Sequence, residues 1–393
     1  MESKPQLSSR EKHNLLIYAL AVAGVLGLFL ALGWIRLGAP MNVPSMHNAE
    51  IAVLVPLEGD EAANGKNILD AVIKSKEYFV VRLELTDCNI TIRGYDTGNS
   101  ADSAAWAAFR AARNPNTIAI IGPIDARQVK AVESTVIGKN IPIITPASTT
   151  PDINLSSDNG VYRVPAADDL QGPALVDFLV QKQFSNVYLL IEPNSYVEHI
   201  LNPMKTASAG RIKFVGSADV SQTDPNVDLI QSIKDSKADA IVYLGGSSGL
   251  IVLLQGLEEK NVNIPIVGVD SINDPKLAKS LPSGQELFFT SPIYVNNNIT
   301  GGYGDLLGAN VVKPYGFESV EATWLVLKAL SAGTDEFGRE AVWKNLPNTF
   351  IVGIDAQRLE LIEGQLSPTY IYVYKGENHE ASWFLKPENA FRP

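Results

Sequence analysis

From Ile51 the chain switches between short apolar runs and longer stretches whose apolar residues share one helical face. IAVLVP (51–56) predicts a buried strand, and Lys66–Lys76 a helix with Ile68, Leu69, Val72 and Ile73 on one face. FVVRLEL (79–85) and ITIRGYD (90–96) read as strands, and 103–113 as an Ala-rich helix. TIAIIGP (117–123) is a strand, a helix starts near Ala126, and IPIITP (141–146) is a strand. After Asp168 the rhythm returns. Helices at 171–182, 196–208, 226–235 and 248–260 alternate with the strands VYLLIE, RIKFVG, AIVYLGG and IPIVGV. Strands alternating with helices of this length imply parallel sheets built from crossover units. Two such series imply two α/β lobes, whose ligand site lies beyond the carboxyl ends of the strands. The informative residues are therefore those in the strand-to-helix loops.

The N-terminal segment is different. Leu15–Ile35 holds 21 residues without a charge, enough to span a hydrocarbon core of roughly 30 Å. Tyr18 and Trp34 lie near its ends, Lys4, Arg10 and Lys12 precede it, and Arg36 follows. That bias predicts a single-pass cell-membrane anchor with residues 1–14 cytoplasmic and the body extracytoplasmic. A cleaved signal peptide has an apolar region of only about 7–15 residues. Residues 36–49 read as a linker.

Composition narrows the functions. The 393 residues carry a net charge of -11, and residues 1–49 contribute four basic against two acidic side chains, which leaves -13 on the body. Such a surface repels phosphates and argues against nucleic acid as a partner. One cysteine, Cys88, permits no internal disulfide, and four scattered histidines show no metal-ligand spacing. No phosphate-binding glycine fingerprint follows the first strand, and no cofactor is implied.

The loops carry a family signature. Pro56-Leu57-Glu58-Gly59 with Ala62, Ala63 and Gly65, then Ile121-Gly122-Pro123, IPIITPASTTP (141–151), Tyr162-Arg163 with Asp168, Gln171 and Gly172, DAIVYLGG (239–246), and Tyr315-Gly316 occur in order. In this order and spacing the chain resembles the type I periplasmic binding proteins, specifically the leucine/isoleucine/valine-binding branch of ABC transporter substrate-binding proteins. The resemblance implies two doubly wound parallel-sheet lobes joined by three crossovers, with lobe 1 at 50–168 and 293–365 and lobe 2 at 169–292 and 366–393. It also implies an extracytoplasmic receptor that captures a small polar ligand, an amino acid or related compound, between closing lobes. The receptor passes the ligand to a membrane ABC permease, with no enzymatic step and a monomeric or weakly self-associating ectodomain.

The implied ligand-binding positions are Asp125, Ala126, Ala147, Thr149, Asp168, Tyr196, Ser247 and Asp270. Ala147 and Thr149 match positions that hold an amino-acid backbone, and Asp270 matches an acidic partner of a ligand ammonium. Ala147–Thr150 reads as a strand end running into a helix start, whose free N–H groups and Thr hydroxyl suit an anionic or carbonyl group. Asp168 and Asp270 also suit simple N-cap or turn roles. Several positions depart from the family. Ala126 stands where the leucine-binding branch has a cleft serine, with Asp125 and Arg127 beside it. Glu58 replaces a hydroxyl residue, Asn64 an aromatic, Val197 a glycine, and Ser247 a frequent aromatic.

Two other readings exist. Gly245-Gly246-Ser247-Ser248-Gly249 fits a hydrolase nucleophile elbow, with Ser247, Asp270 and His379 in triad order. The bilobal module also serves as a ligand-sensing ectodomain, although a cytoplasmic tail of 14 residues would need a signalling partner.

Overall fold

The computed structural model describes residues 47–220, 227–295, 306–307, 313–333, 337–353, 357–379 and 382–391. The anchor predicted at 15–35, with its tail and most of the linker, lies outside them. No helix among the described residues is long and apolar enough to cross a membrane.

The strands form two sheets. The first orders β11-β12-β13-β5-β4-β3-β1-β2. Its strands are β1 (His47–Val55), β2 (Cys88–Asp96), β3 (Thr117–Ile121), β4 (Ile143–Thr145), β5 (Val161–Arg163), β11 (Phe350–Val352), β12 (Arg358–Ile362) and β13 (Gln365–Ser367). The second orders β15-β14-β10-β9-β8-β6-β7. It contains β6 (Asn186–Ile191), β7 (Lys213–Asp219), β8 (Ala240–Leu244), β9 (Ile266–Val269), β10 (Leu287–Ser291), β14 (Ile371–His379) and β15 (Ser382–Phe391).

Neither sheet is wholly parallel, as had been expected. β11, β12 and β13 pair antiparallel at one edge of the first sheet, and β14 runs antiparallel to both β10 and β15 in the second. The connections β11–β12, β12–β13 and β14–β15 are too short for a crossover helix, so antiparallel pairing is the only one available to them.

Period-2 alternation puts a core on each face of each sheet. Along β1, Ile51, Val53 and Val55 join one apolar cluster while Ala52 and Leu54 join another. The first cluster is covered by α1 (Ala62–Arg82) and α8 (Gly316–Ser331), the other by α2 (Ala101–Ala112) and α3 (Ala126–Val136). In the second lobe Val187, Leu189, Val242 and Leu244 pack with α4 (Gln171–Gln181) and α5 (Ser195–Ser208). Tyr188, Leu190, Ile241 and Tyr243 face α6 (Val227–Ser236) and α7 (Ser247–Glu259).

Several boundaries differ from the sequence reading. β1 begins at His47, inside the predicted linker, because its first residues pair in register with Cys88–Ile90 and Asn89 bonds Asn48 across the strands. The strand predicted at 79–85 is the last turn of α1 and the residues after it. Phe79 is 3% exposed and stacks on Trp324 with ring centroids 4.8 Å apart. Burying that ring stabilises the helix by about 2–3 kcal/mol, more than the few tenths each that Val80 and Val81 cost in propensity (~0.5). β13 pairs with β5 and β12, so the third crossing lies at Pro368–Tyr370 rather than between 365 and 366.

Candidate functional site

The carboxyl ends of β1, β3 and β4 open on a pocket of about 430 Å³ lined by Glu61, Asp125, Ala126, Ala147, Thr149 and Asp168, with Tyr315 and Arg127 also at its wall. Gly65 makes the pocket edge possible. A Cβ there would lie 1.8 Å from the Pro56 carbonyl oxygen, so only glycine lets α1 start against the end of β1.

Asp125 caps α3, its side chain accepting from the N–H groups of Arg127 and Gln128. Its carboxylate also pairs with Arg127 at 3.1 Å, and Arg127 is largely solvent-exposed. Gln128 reaches back to donate to the Gly98 carbonyl at 2.9 Å, which fixes the loop after β2 against the pocket. Ala126 presents only a methyl group here.

No helix follows β4. Pro146 and Pro151 bracket Ala147–Thr150, and proline disfavours helical conformation before it and removes a donor within it. The segment is held as a loop instead. Ser148 N–H donates to Thr145 Oγ1 at 3.0 Å, and Arg163 Nη1 donates to the Thr150 carbonyl at 2.8 Å. The helix start expected at Ala147–Thr150 does not form, and Ala147 and Thr149 line the pocket from this loop.

Asp168, Tyr196 and Asp270 come together, and Gln171 joins them. Gln171 Nε2 donates to Asp168 Oδ1 and to Asp270 Oδ1, each at 3.1 Å. Its Oε1 accepts from Thr290 at 2.9 Å, and the Tyr196 hydroxyl donates to Asp270 Oδ1. The Asp168 N–H donates to the Thr149 carbonyl at 2.8 Å. Asp168 does not cap α4, whose N-cap position is Leu170. Its buried carboxyl faces the pocket.

Two carboxyls this close, both withdrawn from water, cannot both ionise cheaply. Desolvation first, then the charge of Asp270, pushes the Asp168 carboxyl well above the usual range; Asp270 is raised by desolvation. The two carboxyls therefore titrate as a pair rather than as independent groups. Burial, followed by the nearby charges of Asp270, Glu61, Glu318 and Asp168, pushes the Tyr315 phenol up. Tyr315 adopts φ 65°, a left-handed conformation at the start of α8, and packs against clusters of both lobes.

Ser247 stands apart. It is the first residue of α7, and its hydroxyl donates to Asp274 at 2.9 Å rather than to Asp270. The antiparallel register Leu287↔Gly376 carries β14 past the start of β10, so His379 lies beyond the opposite end of the sheet from Ser247. The hydrolase triad is not assembled. Gln171 and Tyr315 belong to the family signature but not to the implied ligand-binding positions; their places between the acids and at the pocket wall depend on which chain segments the crossings bring together.

Comparison with known proteins agrees with this architecture. A search of curated proteins returns no match. Among solved structures, an ABC transporter substrate-binding protein from Sphaerobacter thermophilus superposes with a TM-score of 0.69 at 14% identity, covering 88% of this chain and 98% of that one. The branched-chain amino acid transporter substrate-binding protein LivJ from Streptococcus pneumoniae, solved with isoleucine, gives 0.66 at 16% identity over 88% and 100%. A solute-binding protein from R. palustris, solved with 4-hydroxybenzoate, gives 0.68 at 12% identity over 88% and 97%. The family profile described as "Periplasmic binding protein" matches residues 49–356, and the chain belongs to that family.

Proposed function

We propose that the chain is a membrane-tethered solute receptor that captures a small ammonium-bearing compound, an amino acid or close relative, and hands it to an ABC permease. The observation that carries this reading is the buried Asp168–Asp270 pair, bridged by Gln171, with Tyr196 donating to Asp270, beside a polar pocket. A ligand ammonium would supply a counter-charge to the pair and donors to its carboxylate oxygens. Ala147, Thr149 and Arg127 would meet the other end of the ligand. Ala126, with no hydroxyl, suits a ligand whose second polar group is placed differently from that of an aliphatic amino acid. A ligand touching both lobes favours their closed arrangement by its differential affinity. The charge-free stretch at 15–35 would hold the receptor at the outer face of the membrane, beside a permease.

A thermal-shift screen of the full-length protein in detergent tests the ligand class. Compounds with a primary ammonium should stabilise the parent, and both Thr149→Ala and Asp270→Ala should weaken the effect while folding normally. Stabilisation by aromatic acids and not by any amine would refute the ammonium reading. Alkaline extraction of membranes tests the tether, which predicts retention in the pellet.

A further inference from the structure

The charges around the cleft pocket do not balance. Three acids line it, Glu61, Asp125 and Asp168, against a single basic side chain, Arg127. Asp125 engages Arg127 through both oxygens, Oδ1 with Nε at 3.1 Å and Oδ2 with Nη2 at 3.4 Å. That pair cancels, and Arg127 adds no net positive charge for a ligand. Two acidic places are left: the Asp168–Asp270 pair at the crossing, and Glu61 at the start of α1.

The fold makes little use of Glu61. It occupies the N-cap position of α1, yet its side chain caps none of the free N–H groups there. Among the described residues its carboxylate accepts only from Asn64 Nδ2, at 2.8 Å through Oε2. Tyr315 stands near both acidic places. It lines the same pocket and lies among the charges of Asp270, Glu61, Glu318 and Asp168. Its hydroxyl has no hydrogen-bond partner among the described residues. A phenol oxygen can accept from an ammonium, and the face of the ring attracts a cation.

We propose that the cleft ligand is a flexible diamine, with one ammonium at the Asp168–Asp270 pair, the other at Glu61, and Tyr315 beside the chain that joins them. The proposal rests on the ammonium reading of the acid pair and narrows it. A zwitterionic amino acid matches the pocket less well. Its carboxylate adds a negative charge where Arg127 is already paired and Ala126 has no hydroxyl to donate.

Titration calorimetry on full-length protein in detergent, at low ionic strength, compares the α,ω-diamine, the n-alkylamine and the ω-amino acid at each chain length from propyl to hexyl. At the best-matched length the diamine should bind about fivefold more tightly than the alkylamine, the worth of one partly exposed ion pair. The ω-amino acid should bind most weakly, and added salt should shrink the advantage of the diamine. Glu61 is exposed, so its replacement leaves the core intact. Glu61→Gln keeps an oxygen for Asn64 and should bring diamine and alkylamine close together without changing the affinity for the alkylamine. Glu61→Lys should move the preference to the ω-amino acid. A diamine that binds no better than the alkylamine, a preference that survives Glu61→Gln, or an ω-amino acid that binds best to the parent overturns the proposal. In those cases weaker amine binding in Asp270→Ala keeps the ammonium reading on its own. If none of the amines binds, that reading falls and the proposal with it.

Discussion

Replacing Glu318 with glutamine should change how stability depends on pH, and the size of the change can be worked out. Burial pushes the Glu318 carboxyl up to about 8, against roughly 4.3 for glutamate in an unfolded chain. Between those values the folded state binds the extra proton, so stability falls as pH rises. The loss is complete only above the folded value. For these two pKa values, linkage gives a loss from this one group of about 2.5 kcal/mol between pH 6 and pH 9. Glutamine keeps the acceptor for the Tyr294 N–H and does not titrate, so whatever it costs, it costs equally at every pH. Urea unfolding of both proteins at pH 6 and pH 9, read through the linear dependence on denaturant, should show the parent losing about 2.5 kcal/mol more than Glu318→Gln. Parallel changes in the two proteins would refute the claim that this carboxyl enters the fold protonated.

The acid pair makes a related prediction with the opposite sign for binding. An ammonium ligand needs the pair fully ionised, so its affinity should rise as pH increases through neutrality, with proton uptake by buffer visible in calorimetry; Asp168→Asn should flatten the profile. Gln171→Leu leaves Asp168, Asp270 and Thr290 without their shared partner and should weaken ligand binding at least tenfold, about 1.4 kcal/mol or more, measured by titration calorimetry. Gly65→Ala forces α1 off the end of β1, because its methyl group would collide with the Pro56 carbonyl. Its melting temperature should drop by several degrees, corresponding to about 1–3 kcal/mol, and its pocket should lose ligand even where the fold survives. Gly138→Ala has open space around its Cβ, so any loss there should reflect only its φ of 70°.

Much of the fold could be read from the sequence because its signals are local. The strands at 117–121, 186–191 and 240–244 and the helices that follow them are marked by short apolar runs bounded by turns, and no distant contact is needed to see them. Residues 79–82 were misread because an apolar run of mixed β-branched and aromatic residues looks the same in a strand and in a helix whose face is buried. The arbiter was Trp324, far along the chain. The small antiparallel edge at 350–367 was not predicted, since three- and five-residue strands give too little alternation to recognise. In the site, Asp168, Tyr196 and Asp270 were named as separate loop residues. Their convergence through Gln171 depends on α4 and α5 packing side by side, with Gly172 admitting the Ile200 carbonyl where a Cβ would sit 2.4 Å away. The bond from Ser247 to Asp274 could not be read, because Asp274 lies in a turn that gave no signal.

The pairing of β5 with β13 also constrains how the chain is made. Arg163 and Gln365, hydrogen-bonded at 2.7 Å, are 202 residues apart. The apolar cover over Ile51 and Val53 includes Val320, Leu325 and Val326 from α8. A chain emerging from the ribosome N-terminus first therefore holds β1, β3 and β4 with that face covered by α1 alone until α8 has been synthesised, and β5 without its second neighbour until β13 follows. Closing such distant contacts is slow, and the half-covered sheet invites aggregation in the meantime. The second lobe waits equally on β14, which follows β13 by only a few residues. Both lobes are thus completed in the last stretch of synthesis, and a chain cut before residue 367 should leave neither as an intact body.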